Sequence, residues 1–213
     1  MVLKQPEHSS LYKTKNTISY KVKILILGSA NSGKSLLSSK YTLGFTHSSK
    51  YSIGVDISVK DFTLPNGERI TDTCWTFAPQ ARFQNYWSNF FRGALGAIIL
   101  FDITNPESLK EVKLWVFSVR KHINCIPIIL MGNKVDLNYK RAITYEEAKK
   151  FAEKEKFAAY IETSVKENVN IIETLELLNE IIYYHIKSGK ETFNPLDLDN
   201  SFKIKIKNLK LIR

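Results

Sequence analysis

Apolar stretches of strand length alternate with helical patterns along most of this chain, beginning at residue 21. Two of them, 95–101 and 126–131, are almost wholly apolar, which is typical of central strands buried on both faces. A Pro-Asn-Gly turn at 65–67 separates two further stretches and predicts a hairpin. The predicted strands are 22–27, 57–64, 70–77, 95–101, 126–131 and 159–163.

The segments between these strands carry helix signals. Asn105 and Pro106 open one helix with a proline in its first turn, and Thr144 with Glu147 resembles a capping box. The last segment repeats apolar residues at spacings of three and four, which predicts a buried stripe. Helices are predicted at 33–41, at 105–121, from residue 144 and at 169–186. The alternation predicts an α/β fold: a mostly parallel six-stranded sheet with one antiparallel edge strand and helices on both faces.

The composition fits one globular domain. The chain has 213 residues, of which 44% are hydrophobic and 12% aromatic, and this excludes a collagen-like or wholly disordered chain. Its 31 Lys and Arg against 21 Asp and Glu give a formal charge of +10. Such a charge suits a nucleic acid as partner, but no recognisable RNA- or DNA-binding module is present, so this partner is disfavoured.

The sequence favours a cytoplasmic protein. No apolar run reaches the length of about 18 residues that a bilayer span needs, and the N-terminus is polar rather than signal-like. Cys74 and Cys125 lack the spacing of a zinc or disulfide framework and are expected to be buried thiols. Val2 in place of glycine, and no cysteine near the C-terminus, predict that no lipid anchor is attached.

A glycine-rich motif directly follows the first predicted strand. Residues 28–35 read Gly-Ser-Ala-Asn-Ser-Gly-Lys-Ser, which fits GxxxxGK[ST] between a strand and a helix. Small residues let backbone N–H groups surround phosphates, Lys34 reaches the β and γ oxygens, and Ser35 offers a hydroxyl to Mg²⁺. The predicted phosphate-binding residues are Ser29, Ala30, Asn31, Ser32, Gly33, Lys34, Ser35 and Leu36.

A second motif, Asn133-Lys134-Val135-Asp136, follows another predicted strand. Guanine presents N1–H and an exocyclic amine side by side, so one carboxylate can accept both, whereas adenine has no such pair. Asp136 is therefore the predicted guanine reader, with Lys134 along the ring and Asn133 bracing neighbouring loops. The two motifs together predict GTP or GDP with Mg²⁺ as ligands.

Further segments read YSIGVD, FRGALGAIILFDITNPESL and ETSVK, and with the first two motifs they stand in the order found in small GTPases. Residues 20–189 thus resemble the Ras superfamily, and its Rab branch most closely. The resemblance implies a P-loop G-domain. It also adds Ser164, Val165 and Lys166 to the base site, where the backbone N–H of Val165 would contact the guanine oxygen.

The same resemblance assigns two residues near the first switch. Phe45 would pack against the base, although an ordinary core aromatic remains open as the alternative. Ser52 stands where the family has a threonine that binds Mg²⁺, and it keeps the hydroxyl. Residues 52–56 resemble the surface with which Rab proteins bind an effector protein.

The second switch, residues 75–83, reads WTFAPQARF and departs from the family pattern WDTAGQERF. Thr76 replaces an acid that holds Mg²⁺, commonly through water. Pro79 replaces a glycine whose N–H contacts the γ-phosphate, and proline has no N–H. Gln80 keeps the type of residue that orients the attacking water, but the fixed φ of Pro79 restricts the segment, so a catalytic Gln80 and a Gln80 without a role both stay open. The sequence predicts nucleotide binding with slow or absent GTP hydrolysis.

These features divide the chain into a polar N-terminal extension (1–19), a G-domain (20–189), and a linker with a basic tail (190–213). In the tail Phe202, Ile204 and Ile206 alternate with lysines. A β-like segment, contact with an anionic membrane and a solvated disordered tail all stay open.

Three functions remain at this point. They are a slow GTPase switch in trafficking or signalling, a guanine-nucleotide-binding scaffold without turnover, and a basic nucleic-acid-binding adaptor built on a G-domain fold.

Overall fold

The computed structural model describes residues 19–41, 54–78, 84–123 and 126–209. Its strands are β1 (Ser19–Gly28), β2 (Val55–Thr63), β3 (Arg69–Phe77), β4 (Gly96–Asp102), β5 (Ile128–Asn133) and β6 (Ala159–Thr163). Its α-helices are α1 (Lys34–Tyr41), α2 (Gln84–Phe91), α3 (Pro106–His122), α4 (Tyr145–Lys154), α5 (Ile171–Ser188) and α6 (Asn200–Leu209). Short 3₁₀ segments lie at Val135–Lys140 and Pro195–Asp197.

The strands form one sheet in the order β2-β3-β1-β4-β5-β6. Every neighbouring pair is parallel except β2 with β3, which pair antiparallel at one edge. The predicted fold class is therefore confirmed. Because β1 lies between β3 and β4, the strand order reverses at its carboxyl end, which is where open α/β sheets bind their ligands.

Apolar side chains cover both faces of the sheet. One face packs against α1 and α5, and the predicted stripe on α5 is buried there: Ile171, Leu175, Leu178 and Ile182. The other face packs against α2, α3 and α4, with Trp87 of α2 stacked on Trp115 of α3 at a centroid distance of 4.1 Å. Cys74 is buried in β3 as expected, whereas Cys125 lies outside the described residues.

Two helix starts have the predicted capping chemistry. Thr144 Oγ1 accepts a hydrogen bond from the Glu147 backbone N–H at 3.2 Å, and Glu147 Oε2 accepts one from the Thr144 N–H at 2.8 Å. Asn105 Oδ1 accepts from the Glu107 N–H at 3.1 Å at the start of α3. None of the helices in the described ranges is long and apolar enough to cross a bilayer.

The C-terminal segment differs from the strand-like and disordered alternatives. Residues 200–209 form α6, and Phe202 is buried in the core beside α5 with Ile206 and Leu209 packed against the same cluster. Asp199 Oδ1 accepts from the Ser201 N–H at 2.8 Å and the Phe202 N–H at 3.3 Å, so it caps the helix. Both alternatives are therefore wrong for 200–209. The limits of the three predicted segments remain a prediction.

Candidate nucleotide-binding site

The phosphate loop connects β1 to α1 at the point where the strand order reverses. Its backbone is shaped by residues with positive φ: Gly28 at 138°, Asn31 at 59° and Gly33 at 104°. A Cβ at Gly28 would lie 2.1 Å from the Leu100 backbone oxygen, so only glycine fits there. Ser32 Oγ donates to the Ser29 oxygen at 2.9 Å and holds the curve of the loop.

Lys34 is buried inside this loop. Its Nζ donates to the backbone oxygens of Gly28 at 2.9 Å and Ser29 at 2.5 Å, and the residue is 6% exposed. Burial lowers the pKa of Lys34 to about 8, and the charge of Glu111 only partly opposes that shift. Phosphate oxygens beside this lysine would stabilise its desolvated positive charge, so the buried Lys34 favours an anionic ligand.

Asn133 joins the phosphate loop to the loop after β6. Its Nδ2 donates to the Ser32 backbone oxygen at 2.8 Å, and its Oδ1 accepts from the Val165 backbone N–H at 2.9 Å. A Cβ at Gly33 would lie 2.3 Å from Asn133 Nδ2. The two loops and the end of β5 are therefore held in one fixed arrangement.

The other two polar residues of the Asn-Lys-Val-Asp motif have partners as well. Lys134, with a left-handed φ of 74°, donates through Nζ to Asp102 Oδ2 at 2.5 Å. Burial opposes ionisation of Asp102, but hydrogen bonds from Lys134 and Thr104 outweigh it and hold the pKa of this carboxyl below its usual value. Asp136 Oδ1 accepts from Ser164 Oγ at 2.6 Å, which fixes one carboxylate oxygen.

The loop after β6 is closed by a short bridge. Ser164 and Val169 exchange two backbone hydrogen bonds, of 3.2 and 2.9 Å. Val165 is 1% exposed, so its side chain fills space beneath the loop. Its backbone N–H, which the family resemblance assigned to the guanine oxygen, donates in this structure to Asn133 Oδ1 at 2.9 Å. The Lys166 backbone oxygen accepts from Lys40 Nζ of α1 at 2.6 Å, a contact that ties this loop to the first helix.

A cavity of about 590 Å³ opens beside the phosphate loop. Its walls come from the loop and α1, from the start of β2 and from the end of β3. The lining residues are Ala30, Asn31, Gly33, Lys34, Ser35, Leu36, Gly54, Val55, Asp56, Thr76, Phe77 and Ala78. The predicted phosphate loop and the strand that carries Thr76 therefore border one space.

Comparison with known proteins agrees with this geometry. The family model described as Ras family matches residues 23–184. The chain belongs to the Ras family. It is 38% identical to the Ras-related protein Rab-11C of Dictyostelium discoideum, over 85% of this chain and 80% of that protein. It is also 36% identical to Rab-19 of Xenopus laevis, over 80% of this chain and 84% of the relative. These relatives place it with the Rab-like small GTPases.

The structure brings together most of the residues that the sequence assigned. The phosphate loop, the Asn-Lys-Val-Asp motif and residues 164–166 meet at the carboxyl edge of the sheet, although Leu36 is only a wall of the cavity and the Lys166 side chain is 71% exposed. The remaining candidates, Phe45, Ser52 and Gln80, lie outside the described residues, as does Pro79.

Two supporting residues escaped sequence reasoning. Asp102, at the end of β4, holds Lys134, and Arg141 binds both carboxylate oxygens of Glu162 at 2.7 and 2.9 Å beneath the loop after β6. An acid that ends a buried strand was a usable signal for Asp102. Nothing in the sequence paired Arg141 with Glu162, because they are 21 residues apart and meet only through the fold.

The site fits a Ras-family nucleotide and its Mg²⁺ on three observations. The hydroxyls of Ser29 and Thr76 are buried and make no hydrogen bond within the described part of the chain, so both can still bond to a ligand or its water. Gly33 keeps the loop free of a Cβ that would displace Asn133. Ser35 contributes a hydroxyl on the cavity wall, a hard oxygen of the kind that Mg²⁺ prefers.

Proposed function

We propose that this protein binds guanine nucleotides with Mg²⁺ and acts as a switch or scaffold in trafficking or signalling, with slow or absent GTP hydrolysis. The observation that carries the proposal is the double contact of Asn133, which fixes the phosphate loop against the base-reading loops. A preorganised site of this kind spends less binding energy on ordering its own loops.

The phosphates would bind where the backbone of 28–35 curves around Lys34. Lys34 gives up the carbonyl oxygens of Gly28 and Ser29 for phosphate oxygens, and Ser35 offers its hydroxyl to the metal. Ser35 would hold the Mg²⁺, which when bound would supply positive charge to neutralise the phosphates. Ser52 is proposed as its second hydroxyl ligand.

Guanine recognition rests on Asp136. The carboxylate has one oxygen held by Ser164, and this fixes the plane in which it accepts the N1–H and the amine. Calorimetry with Mg²⁺ tests the proposal: GDP should bind, and ADP should bind at least about a hundredfold more weakly, because two charge-assisted hydrogen bonds are lost. Equal affinities for GDP and ADP would refute guanine recognition.

A variant sharpens this test. Asp136→Asn keeps the size of the side chain, but its single oxygen accepts only one of the two guanine donors and its amide adds a donor that the amine opposes. GDP affinity should fall by about tenfold or more. Asp61→Asn, an exposed carboxylate on β2 paired with Arg69 on the neighbouring strand, is the matched control and should leave GDP affinity unchanged.

Slow hydrolysis follows from chemistry at two positions. Thr76 carries no charge to stabilise the metal, and Pro79 offers no N–H to the γ-phosphate. P-loop GTPases of the Ras and Gα kinds hydrolyse GTP alone at only about 10⁻⁴ to 10⁻² per second, and each 1.4 kcal/mol lost from the transition state costs roughly another tenfold. Nucleotide released by denaturing the purified protein distinguishes the outcomes: GTP favours a scaffold, and GDP favours a turning-over switch.

Contact with an anionic membrane is proposed as a weak, electrostatic interaction. The helix α6 turns Phe202 toward the core, so few apolar side chains remain for lipid, and Ile204 is 59% exposed. Basic residues of the segment would then contribute about 1 kcal/mol each near such a surface. Sedimentation with phosphatidylserine vesicles should show binding that high salt abolishes, and salt-resistant binding would contradict this mode.

A further inference from the structure

The carboxylate of Asp56 stands directly across the sheet from the position that lacks one. In the antiparallel pairing of β2 with β3, Asp56 is the partner of Thr76 and Ser58 is the partner of Cys74. Side chains of directly opposed residues project from the same face, with their Cβ atoms about 4.5–5.5 Å apart. Asp56 and Thr76 therefore share one face of the sheet.

That face borders the phosphate site. Asp56 and Thr76 both line the cavity of about 590 Å³, together with Lys34 and Ser35 of the phosphate loop. Asp56 is exposed, whereas Thr76 is 4% exposed. A negative charge on this wall faces the space in which phosphates and their cation would lie.

The hydroxyl of Thr76 supplies an independent sign of a ligand. Its Oγ1 is buried and has no hydrogen-bond partner within the described ranges. A buried hydroxyl without a partner is costly, so such atoms normally mark a position completed by water or a ligand. The cavity that it shares with Asp56 is open space beside it.

We propose that Asp56 supplies the carboxylate of the Mg²⁺ site from β2, in place of the acid absent at position 76, with the Thr76 hydroxyl bonded to a water of the same shell. The inference rests on the proposed nucleotide function and names a residue outside the usual magnesium motif. Mg²⁺ keeps several of its waters in proteins, so a carboxylate on the neighbouring strand can act through water without a direct bond.

The first test measures how strongly Mg²⁺ tightens nucleotide binding. The nucleotide-free full chain is titrated with GDP in excess Mg²⁺ and again in EDTA, and the ratio of the two affinities is compared between variants. Asp56→Asn should reduce that ratio by about tenfold, the size of one charge-assisted contact, while the EDTA affinity stays within about twofold. The control Asp61→Asn, on the same strand, should leave the ratio unchanged.

A direct metal readout accompanies the titration. Mn²⁺ replaces Mg²⁺, and electron paramagnetic resonance measures how much Mn²⁺ stays free in the presence of GDP and protein. Asp56→Asn should raise the free fraction, and Asp61→Asn should not. This measurement needs no turnover of GTP.

A second variant keeps the proposal testable if Asp56→Asn folds poorly. Thr76→Asp alone should change the Mg²⁺ ratio by less than about twofold, because a second carboxylate beside the first repels it and competes for the same waters. In the Asp56→Asn background the same change should restore the lost ratio.

Two results would overturn the proposal. One is an unchanged Mg²⁺ ratio in Asp56→Asn, which would mean that Asp56 does not serve the metal and belongs only to the effector surface at 52–56. The other is a rise of about tenfold or more in Thr76→Asp alone, which would mean that no acid serves the metal in the natural chain. Failure of the proposed function looks different: the unmodified chain would bind GDP neither with Mg²⁺ nor in EDTA.

Discussion

At the scale of single residues, the ionisation of Lys34 is coupled to both folding and ligand binding. Burial brings its pKa to about 8 from 10.5, so the unfolded chain binds more protons than the folded chain between those values. The cost of burying the charge is therefore fully present below pH 8 and is relieved as the pH rises toward 10.5. A bound phosphate would reverse the shift.

This coupling predicts proton uptake on GDP binding. At pH 8.5 part of the Lys34 population is neutral and must gain a proton to meet the phosphates, whereas at pH 6.5 it is already charged. Calorimetry in buffers of different ionisation enthalpy should show uptake at pH 8.5 and none at pH 6.5. In Lys34→Arg, whose guanidinium stays protonated, the residual binding should be free of uptake. Equal uptake at both pH values would contradict the assignment.

Two glycines with positive φ distinguish the effect of backbone strain from that of a steric clash. Gly33 and Gly67 both have positive φ, of 104° and 83°. A Cβ at Gly33 would lie 2.3 Å from Asn133 Nδ2, whereas a Cβ at Gly67 would meet nothing within 4 Å among the residues that the structure describes. Gly33→Ala should therefore weaken GDP binding by about tenfold or more, as the Asn133 contact to the phosphate loop is lost. Calorimetry measures the affinity.

Gly67→Ala is the matched control for that variant. It carries a similar strain of about 1–2 kcal/mol in the hairpin turn, so its stability should fall, but its GDP affinity should not change. An unaltered GDP affinity in Gly33→Ala would show that the contact of Asn133 with the phosphate loop does not contribute to GDP binding.

At the scale of elements, the C-terminal helix is held by one buried side chain more than by its charges. Phe202 is 7% exposed and contacts Tyr184 of α5 edge-on at 5.6 Å, and the Asn170 side chain donates to the Leu209 backbone oxygen at 2.6 Å. The ion pair of Lys205 with Glu180 lies at the surface, where such pairs contribute little.

We therefore expect Phe202→Ala to release α6 locally. The free energy of opening this helix should fall by up to about 3–5 kcal/mol, and hydrogen exchange of the α6 amides should accelerate while that of β1 is unaffected. Ile204→Ala removes an apolar side chain that is 59% exposed on the same helix and should leave exchange unchanged. Equal acceleration in both variants would argue against the docking role of Phe202.

The same helix explains where sequence reasoning stopped. The residues of α6 that pack against the core are Phe202, Ile206 and Leu209, which have the helical spacing of four and three. In the sequence, however, lysines alternate with Phe202, Ile204 and Ile206, and this alternation has the period of two that is typical of a strand. The capping acid Asp199 was the signal that could have decided between them. The helix α2 was also missed, although Trp87 and Phe91 are four residues apart and both buried.

The candidate site was more accessible to sequence than these helices. Each of its motifs is short, follows a buried strand and carries its chemistry in neighbouring residues, so local order predicted the loops that meet at the sheet edge. The register of the strands could not be predicted in this way. Asp56 lies opposite Thr76 because of how β2 pairs with β3, and the hydrophobic pattern alone does not determine which residue pairs with which. Asp102 and Arg141 likewise act only through the assembled fold.

For the molecule as a whole, the substitutions at Thr76 and Pro79 in the second switch affect how far its conformation differs between the GTP and GDP states. A γ-phosphate can shift a loop only through contacts that differ between the two nucleotide states. Pro79 removes one such contact, because it has no N–H. The GTP and GDP forms should therefore differ less in this protein than in family members with glycine at that position, a difference that hydrogen exchange of 54–78 in the two states measures.

The decisive whole-molecule prediction concerns turnover. A timed single-turnover assay with GTP and Mg²⁺ should give a rate for the natural chain below the roughly 10⁻⁴ per second at which Ras-type domains act alone. Thr76→Asp with Pro79→Gly returns a metal-site charge and a γ-phosphate donor, so the rate should rise at least about tenfold, the effect of 1.4 kcal/mol in the transition state. If Asp56 already serves the metal, Pro79→Gly alone should supply most of that rise and Thr76→Asp alone little. Ordinary Ras-type rates in the natural chain would show instead that neither position limits hydrolysis.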